Sequence, residues 1–439
     1  MPVLRDGIQA QAGHGSQRPL TVQRTLDVVR TYLVKIGCWS VLLCLFSVPI
    51  NKPATNIFIF LALVCSLLGA RAVERWRLAI RQPVVIGALV WLAVLGLSAL
   101  YAPPGDEQWK ALRAGVALLY PLIVASLLET PQWRTRGMLA FGLAASLILL
   151  VSWCQFIGLL PQRAEAANNP AFLYTVFKDY TQQGIEFLVL AAMAASFAQA
   201  ASERKPKILL WALAAAAIID VVFLLQSRTS YLIVAPLLAF WAWRLAGGPQ
   251  AGWRRIALGA LLLAACGAVA VMTPRVQQRL LQAKEDVSNY SDKRQATSMG
   301  IRMELWKRTL PIIASAPLLG HGLGQWRSEY QAEVKDFPNY DEFRMGHPHQ
   351  EALLILSEQG IVGLAVFVAL LIFLARTIRR LPAPQQSFYA SLLLIYVTAS
   401  LANCIWADFS HRHVFMTLLA CIPFIAKRNN PATPAVATP

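Results

Sequence analysis

Long apolar runs alternate with short polar ones over most of the chain. A bilayer core of about 30 Å needs about 20 apolar residues per helix, somewhat fewer where flanking side chains snorkel. Against that length, twelve windows predict spans: near 33–50, 55–70, 83–101, 110–128, 138–159, 184–201, 208–225, 229–247, 256–273, 357–376, 386–405 and 412–426. The expectation is an all-α polytopic membrane protein of about 12 transmembrane helices with one large helical loop. Segment 1–32 precedes the spans, 33–273 holds helices 1–9, 274–348 forms an external subdomain, 349–426 holds helices 10–12, and 427–439 is a disordered tail. No small-residue cleavage site follows the first window, which therefore reads as a retained span.

Composition supports this. Of 439 residues, 56% are hydrophobic and 14% charged, against roughly 25% charged in soluble domains. An ordinary soluble enzyme is excluded. The net charge of +17 would suggest nucleic acid in a soluble protein, but topology absorbs it. With a cytoplasmic amino terminus, 21 Lys and Arg fall on inside segments and seven on short outside connections, as the positive-inside rule requires. Both termini are then cytoplasmic and no nucleic-acid partner is expected. All seven cysteines lie in apolar stretches without a CxxC pair, so neither a disulfide framework nor a thiolate metal site is indicated.

Three outside segments exceed simple turns: 160–183, the corner Ser227-Arg228-Thr229-Ser230, and 274–348. The last mixes 11 Lys+Arg and 9 Asp+Glu with Ile301, Leu305, Trp306, Ile312 and Ile313 at helical spacing, the pattern of a folded helical unit. At the corner, cap-forming hydroxyls would turn backbone N–H groups and the positive end of span 8 outward beside the Arg228 guanidinium, which suits an anion. A snorkelling interfacial arginine is the alternative. Arg302 shares a helical face with Trp306, and its planar donors suit phosphate or pyrophosphate. A solvated charge is the alternative there, although Glu304, at i+2, would not face it.

His347 and His349 stand in Gly346-His347-Pro348-His349-Gln350-Glu351, where the external segment re-enters the membrane. A neutral imidazole there can take a proton from an acceptor hydroxyl. A solvated histidine pair and a metal site are the alternatives, the second lacking a third ligand unless His321 or His411 approaches. Lys178, Asp179, Gln182, Gln183 and Glu186 gather at the start of span 6, with Lys178 and Gln183 as substrate-binding candidates. Asp220, roughly 12 Å deeper than Arg228 along span 7, reads as structural. There is no GxxxxGK[ST], GxGxxG in a βαβ setting, HExxH or DxD pair, so neither direct use of ATP nor a divalent-metal glycosyltransferase is indicated.

The Ser227-Arg228-Thr229 corner, Arg302-x-x-x-Trp306, Pro317-Leu318-Leu319-Gly320-His321-Gly322-Leu323-Gly324, and His349-Gln350 followed by Gly360-Ile361-Val362-Gly363, taken in this order, resemble the O-antigen ligase family from about residue 180 to 380. The resemblance implies a GT-C-like fold and transfer of O-antigen polysaccharide from undecaprenyl diphosphate to lipid A-core, on the periplasmic face of a Gram-negative inner membrane. It implies no metal and no cofactor. The family's two essential arginines map onto Arg228 and Arg302 and its histidine onto His349, while His347, two residues earlier, could share or take that role. Trp306 and His347 join Arg228, Arg302, Lys178 and Gln183 as expected substrate contacts. The nearest rival is an O-antigen polymerase; a lipid or glycan transporter is the rival of another class and would need midplane ionisable residues, for which only Asp220 qualifies.

Overall fold

The computed structural model describes residues 17–225, 227–247, 298–335 and 345–422, with 252–255, 257, 259–260, 264, 277, 281 and 285 besides. Among the described residues there are helices and no strands. They run α1 (Gln17–Ser47), α2 (Lys52–Leu68), α3 (Ala72–Ile80), α4 (Pro83–Tyr101), α5 (Asp106–Gly115), α6 (Tyr120–Leu127), α7 (Pro131–Phe156), α8 (Tyr180–Ala200), α9 (Arg204–Ile219), α10 (Arg228–Leu245), α11 (Ser298–Ser315), α12 (Trp326–Val334), α13 (Glu351–Ile378), α14 (Ala383–Ser400) and α15 (Phe409–Leu419).

Seven helical stretches are long and apolar enough to cross a membrane, or eight if the bent pair α2 and α3 forms one span. The expected windows at 229–247, 386–405 and 412–426 correspond to α10, α14 and α15, which do not meet that test alone. All three pack on α8, and α15, with 11 residues, is too short to cross a bilayer core by itself. Most of the window at 256–273, most of 274–297 and all of 336–344 lie outside the described residues.

α8 is the centre of the bundle: 83% of its apolar stretch is buried, against 11% for α13, whose exposed Ile361, Val362, Ile372 and Phe373 form an outer face. Side-chain caps start the helices that matter most for the site. Asp179 accepts from the Thr181 and Gln182 N–H groups at 2.8 and 2.9 Å, Ser227 from Ser230 at 3.2 Å, Gln350 from Leu353 at 2.6 Å, and Asp408 from His411 at 2.9 Å. Each satisfies amides that helix geometry leaves without partners. These four starts, of α8, α10, α13 and α15, lie at one end of the bundle.

α13 is two helices joined at Gly360, whose φ of 65° and ψ of −166° are open only to glycine. The glycine-rich stretch 317–324 satisfies the break. His321 and Gly322 donate their backbone N–H groups to the Ser357 and Glu358 carbonyls, both at 2.9 Å, while Ile361 and Val362 donate to Pro317 and Leu318 at 2.9 and 3.3 Å. The two backbones approach so closely that a Cβ on Gly360 would stand 2.2 Å from the Leu318 oxygen, and one on Gly320 2.4 Å from the Glu358 carbonyl carbon. Outside the bundle, α11 and α12 enclose a small core of Leu305, Ile312, Trp326, Tyr330 and Val334. Trp326 stacks on Tyr330 at 4.8 Å and donates its indole N–H to Thr309 at 2.9 Å.

Gly360→Ala should therefore destabilise the protein by about 3 kcal/mol or more, combining a forbidden backbone with steric overlap. Gly96, with nothing within 4 Å of a built Cβ, should accept alanine; thermal melts of both variants in detergent check the contrast.

Candidate active site

Four capped helix starts bring the sequence-derived residues together. Arg228 is the first residue of α10. It sits beside α8 because Gly184 lacks a side chain: a Cβ there would stand 2.3 Å from the Ser230 hydroxyl, itself 2.9 Å from that of Ser227. Arg302, in the first turns of α11, lies within electrostatic reach of Arg228 and the Tyr180 phenol. Its neighbour Glu304 is turned away, accepting from Arg308 at 2.8 Å. Burial is the main cause that lowers the pKa of Arg302; the Tyr180 phenol opposes it, and the Arg228 charge adds to it less strongly.

The two imidazoles sit on the loop before α13 with their rings 4.4 Å apart. Trp306 holds that loop, donating its indole N–H to the Pro348 carbonyl at 3.1 Å, and His349 adopts a left-handed backbone with φ of 52°. His349 Nδ1 lies 3.3 Å from Asn403 Oδ1. That oxygen also accepts from the Cys404 N–H at 2.9 Å, which fixes it as the oxygen of the amide. His349 Nδ1 must then carry the proton, leaving the lone pair on Nε2. His347 is the opposite tautomer, since its Nδ1 accepts from the His349 backbone N–H at 3.3 Å and its Nε2 becomes a donor. Burial, with Arg302, presses His349 down to about 4, although Asn403 pulls it upward. Burial, His349 and Arg302 press His347 to about 3 against the attraction of Asp408. Both rings are neutral at pH 7.

The remaining wall is a polar chain. The Gln182 amide donates to Asp408 Oδ2, and His411 Nδ1 lies 3.2 Å from Asp408 Oδ1. Burial raises the Asp408 carboxyl, but His411, its backbone N–H, Gln182 and Lys52 outweigh it and hold the group below the usual range. Lys178 is buried at the same place, lowered by desolvation against the pull of Glu186, Asp408 and Asp179. Gln183, by contrast, is bonded at both ends to the loop before α8: its oxygen accepts from Val176 at 2.8 Å and its nitrogen donates to Tyr174 at 2.9 Å. Asp220 stands apart, buried and accepting from the Ser152 hydroxyl at 2.8 Å.

A family model described as O-antigen ligase matches residues 211–368. Over these residues the chain is similar to the O-antigen ligase family. The family is one of glycosyl-transfer enzymes that work on lipid-linked glycans. No curated protein sequence matches the chain. The matched region contains Arg228, Arg302, His347 and His349, and ends before Asn403 and Asp408, which complete the site from the loop between α14 and α15.

Two openings adjoin the O-antigen ligase residues. A cavity of about 180 Å³ beside His347 is lined by Glu107, Lys110, Arg327 and Glu358, with Glu107 accepting from Lys110 and Arg327 at 2.7 Å each. An apolar cleft between α4, α13 and α14 runs from Trp91, Glu351 and Trp406, which it shares with that cavity, to Pro83 and Thr377 at the far end of the bundle. Among the described residues, no group of three or more His, Cys, Asp and Glu is arranged to hold a metal ion.

Sequence reasoning missed Asn403, Tyr180 and Asp408. Asp408 carried a readable signal, because Asp408-Phe409-Ser410-His411 has the form of a helix cap; Asn403 carried none.

Replacing Arg302 by glutamine removes a nearby positive charge and should raise His349 from about 4 toward the ordinary value near 6.5, which histidine NMR titration would register. Asn403→Leu should lower kcat by roughly tenfold or more with little change in KM, and Asn403→Asp, which keeps an acceptor, should recover much of it, because the bond to His349 Nδ1 sets the tautomer.

Proposed function

We propose that this protein is an O-antigen ligase, which moves a preassembled O-antigen from undecaprenyl diphosphate onto the outer sugar of lipid A-core. In this reading the chain makes 12 spans in a GT-C-like arrangement in a Gram-negative inner membrane, with the site periplasmic and both termini cytoplasmic. The observation that carries it is the meeting of Arg228 and Arg302 with two neutral imidazoles at one end of the bundle.

The reaction breaks the bond between the donor sugar's anomeric carbon and the diphosphate oxygen, and joins that carbon to an acceptor hydroxyl oxygen. His349 Nε2 takes the hydroxyl proton as general base. Undecaprenyl diphosphate leaves with the bonding electron pair, and Arg228 and Arg302 stabilise the charge as it develops. Attack opposite the leaving group inverts the anomeric centre. His347, with Nε2–H outward, donates a hydrogen bond to substrate, and Lys178 adds positive charge at the same wall. Gln183 and Trp306 act through the loops that their side chains hold. The diphosphate ester carries its own activation, so neither ATP nor a metal is required. The apolar cleft ending beside Glu351 supports a lipid-linked donor, whose tail can lie against α4 and α13 while its headgroup reaches the arginines.

Purified protein supplied with undecaprenyl-diphosphate-linked O-antigen and lipid A-core in chelator should place glycan on lipid A-core. Longer chains left on undecaprenyl diphosphate would make it a polymerase, and transport without covalent product would make it a carrier. His349→Ala should reduce the rate by roughly 10²- to 10⁴-fold, and Arg302→Ala by roughly 10²- to 10³-fold, in correctly inserted protein.

A further inference from the structure

At the end of the bundle away from the site, α3 departs from α2 at 115°. Distance from the site follows from α4: its last residue, Tyr101, donates its hydroxyl to the Leu319 carbonyl of the glycine-rich stretch 317–324 at 2.5 Å, whereas its first, Pro83, adjoins α3. A helix of 19 residues separates the two by about 28 Å, close to the thickness of a bilayer core. α3 thus lies where one membrane surface would be, and the chemistry lies at the other.

The bend is built in. Arg71 at the start of α3 has a left-handed backbone, with φ of 54°, and Ala70 donates its N–H to the Arg30 carbonyl of α1 at 3.0 Å. Buried Arg75 returns from α3 to the Ser66 carbonyl of α2 at 2.9 Å. With Ala79 buried, this fixes which face of α3 points out. That face carries two kinds of residue. Val73, Leu78 and Ile80 are 75%, 44% and 45% exposed, and Arg77 and Arg81 are exposed among them. Two acids stand near: Glu74, paired with Arg71 at 2.5 Å and within electrostatic reach of Arg77, and Glu129, within reach of Arg71 and Arg75, so arginines outnumber acids at this face. Two adjoining recesses share Leu67, Ala72, Val73 and Arg77; one opens toward Arg30 and Arg71, the other toward Trp76 and Arg81. Other arginines at this end are differently used: Arg134 donates to the Leu128 carbonyl at 2.8 Å and to Ile422, and Arg244 to Ser387 at 3.1 Å.

We infer that α3 is an interfacial helix holding an anionic phospholipid at the surface opposite the active site, with phosphate on Arg77 and Arg81 and acyl chains against Leu67, Val73 and Ile80. Charge complementarity selects an anionic ligand, and the apolar floor beside each arginine selects a lipid over a free ion, because inorganic phosphate would leave that floor uncovered. The inference does not depend on which glycan the enzyme transfers.

The test is native mass spectrometry of the full-length protein released from mixed micelles of phosphatidylglycerol and phosphatidylcholine. Wild-type protein should retain phosphatidylglycerol preferentially, and Arg77→Gln with Arg81→Gln should cut that preference roughly tenfold. Arg77→Lys with Arg81→Lys should keep most of it, while Arg204→Gln with Lys205→Gln, elsewhere among the basic residues, should leave it unchanged. Equal retention of both lipids by the wild type would overturn the proposal. So would an equal loss in the Arg204 and Lys205 variant, which would mean diffuse charge attraction, or displacement of the lipid by inorganic phosphate, which would mean an ion site. Both surface variants leave the catalytic residues untouched, so a failed ligase assay and a failed lipid assay remain separate results.

Discussion

A backbone that bends within or beside a membrane must find partners for the N–H and C=O groups that the bend releases. At Gly360 this chain finds them in its own glycine-rich loop, and the placement of the site rests on that exchange. The half-helix 351–359 is tied at its end to residues 317–322 and at its start to Gln350, with the Glu351 carboxylate receiving the Trp406 N–H at 3.1 Å. His347 and His349 precede it directly. Their position relative to Arg302 is therefore set where the stretch that follows the arginine's helix meets the half-helix that follows the imidazoles.

Within that frame the electrostatics are consistent. Two guanidinium groups close to one another favour an anion between them and disfavour protonation of anything nearby. The imidazoles stay neutral chiefly because they are buried, with Arg302 adding to the effect, and the Asn403 oxygen decides which nitrogen of His349 keeps a lone pair. Asp408 balances part of the charge from the side of α8 and α15. A bound diphosphate would relieve the repulsion between the arginines, and its departure would restore it.

Much of this was legible in the sequence because the decisive residues sit in short local patterns. The corner at Arg228, the Arg302 helix and the His349 loop each announce their chemistry within a few residues, and all three meet. The glycines of 317–324 and Gly360 were visible as motifs, but their mutual backbone bonding was not, since pairing between segments 40 residues apart has no periodic signature. Asn403 was invisible for the same reason: a single amide before Cys404 matters only through the ring that it meets in space. Trp306 and Gln183 were legible as site residues, yet their polar atoms are committed to the protein's own loops. The windows at α10, α14 and α15 were found by counting, yet these helices fall short of the length and apolarity of a span and pack on α8.

The left-handed backbone at His349 has a consequence of its own. Such a conformation costs most side chains about 1 kcal/mol or more, and histidine, with asparagine and aspartate, is among the few that enter it more readily. A histidine can therefore hold this turn and present its ring at the same time. At Gly360 the backbone demands the absence of any side chain. Eleven residues apart, the same segment thus obeys two unlike rules, one that admits a ring and one that admits nothing.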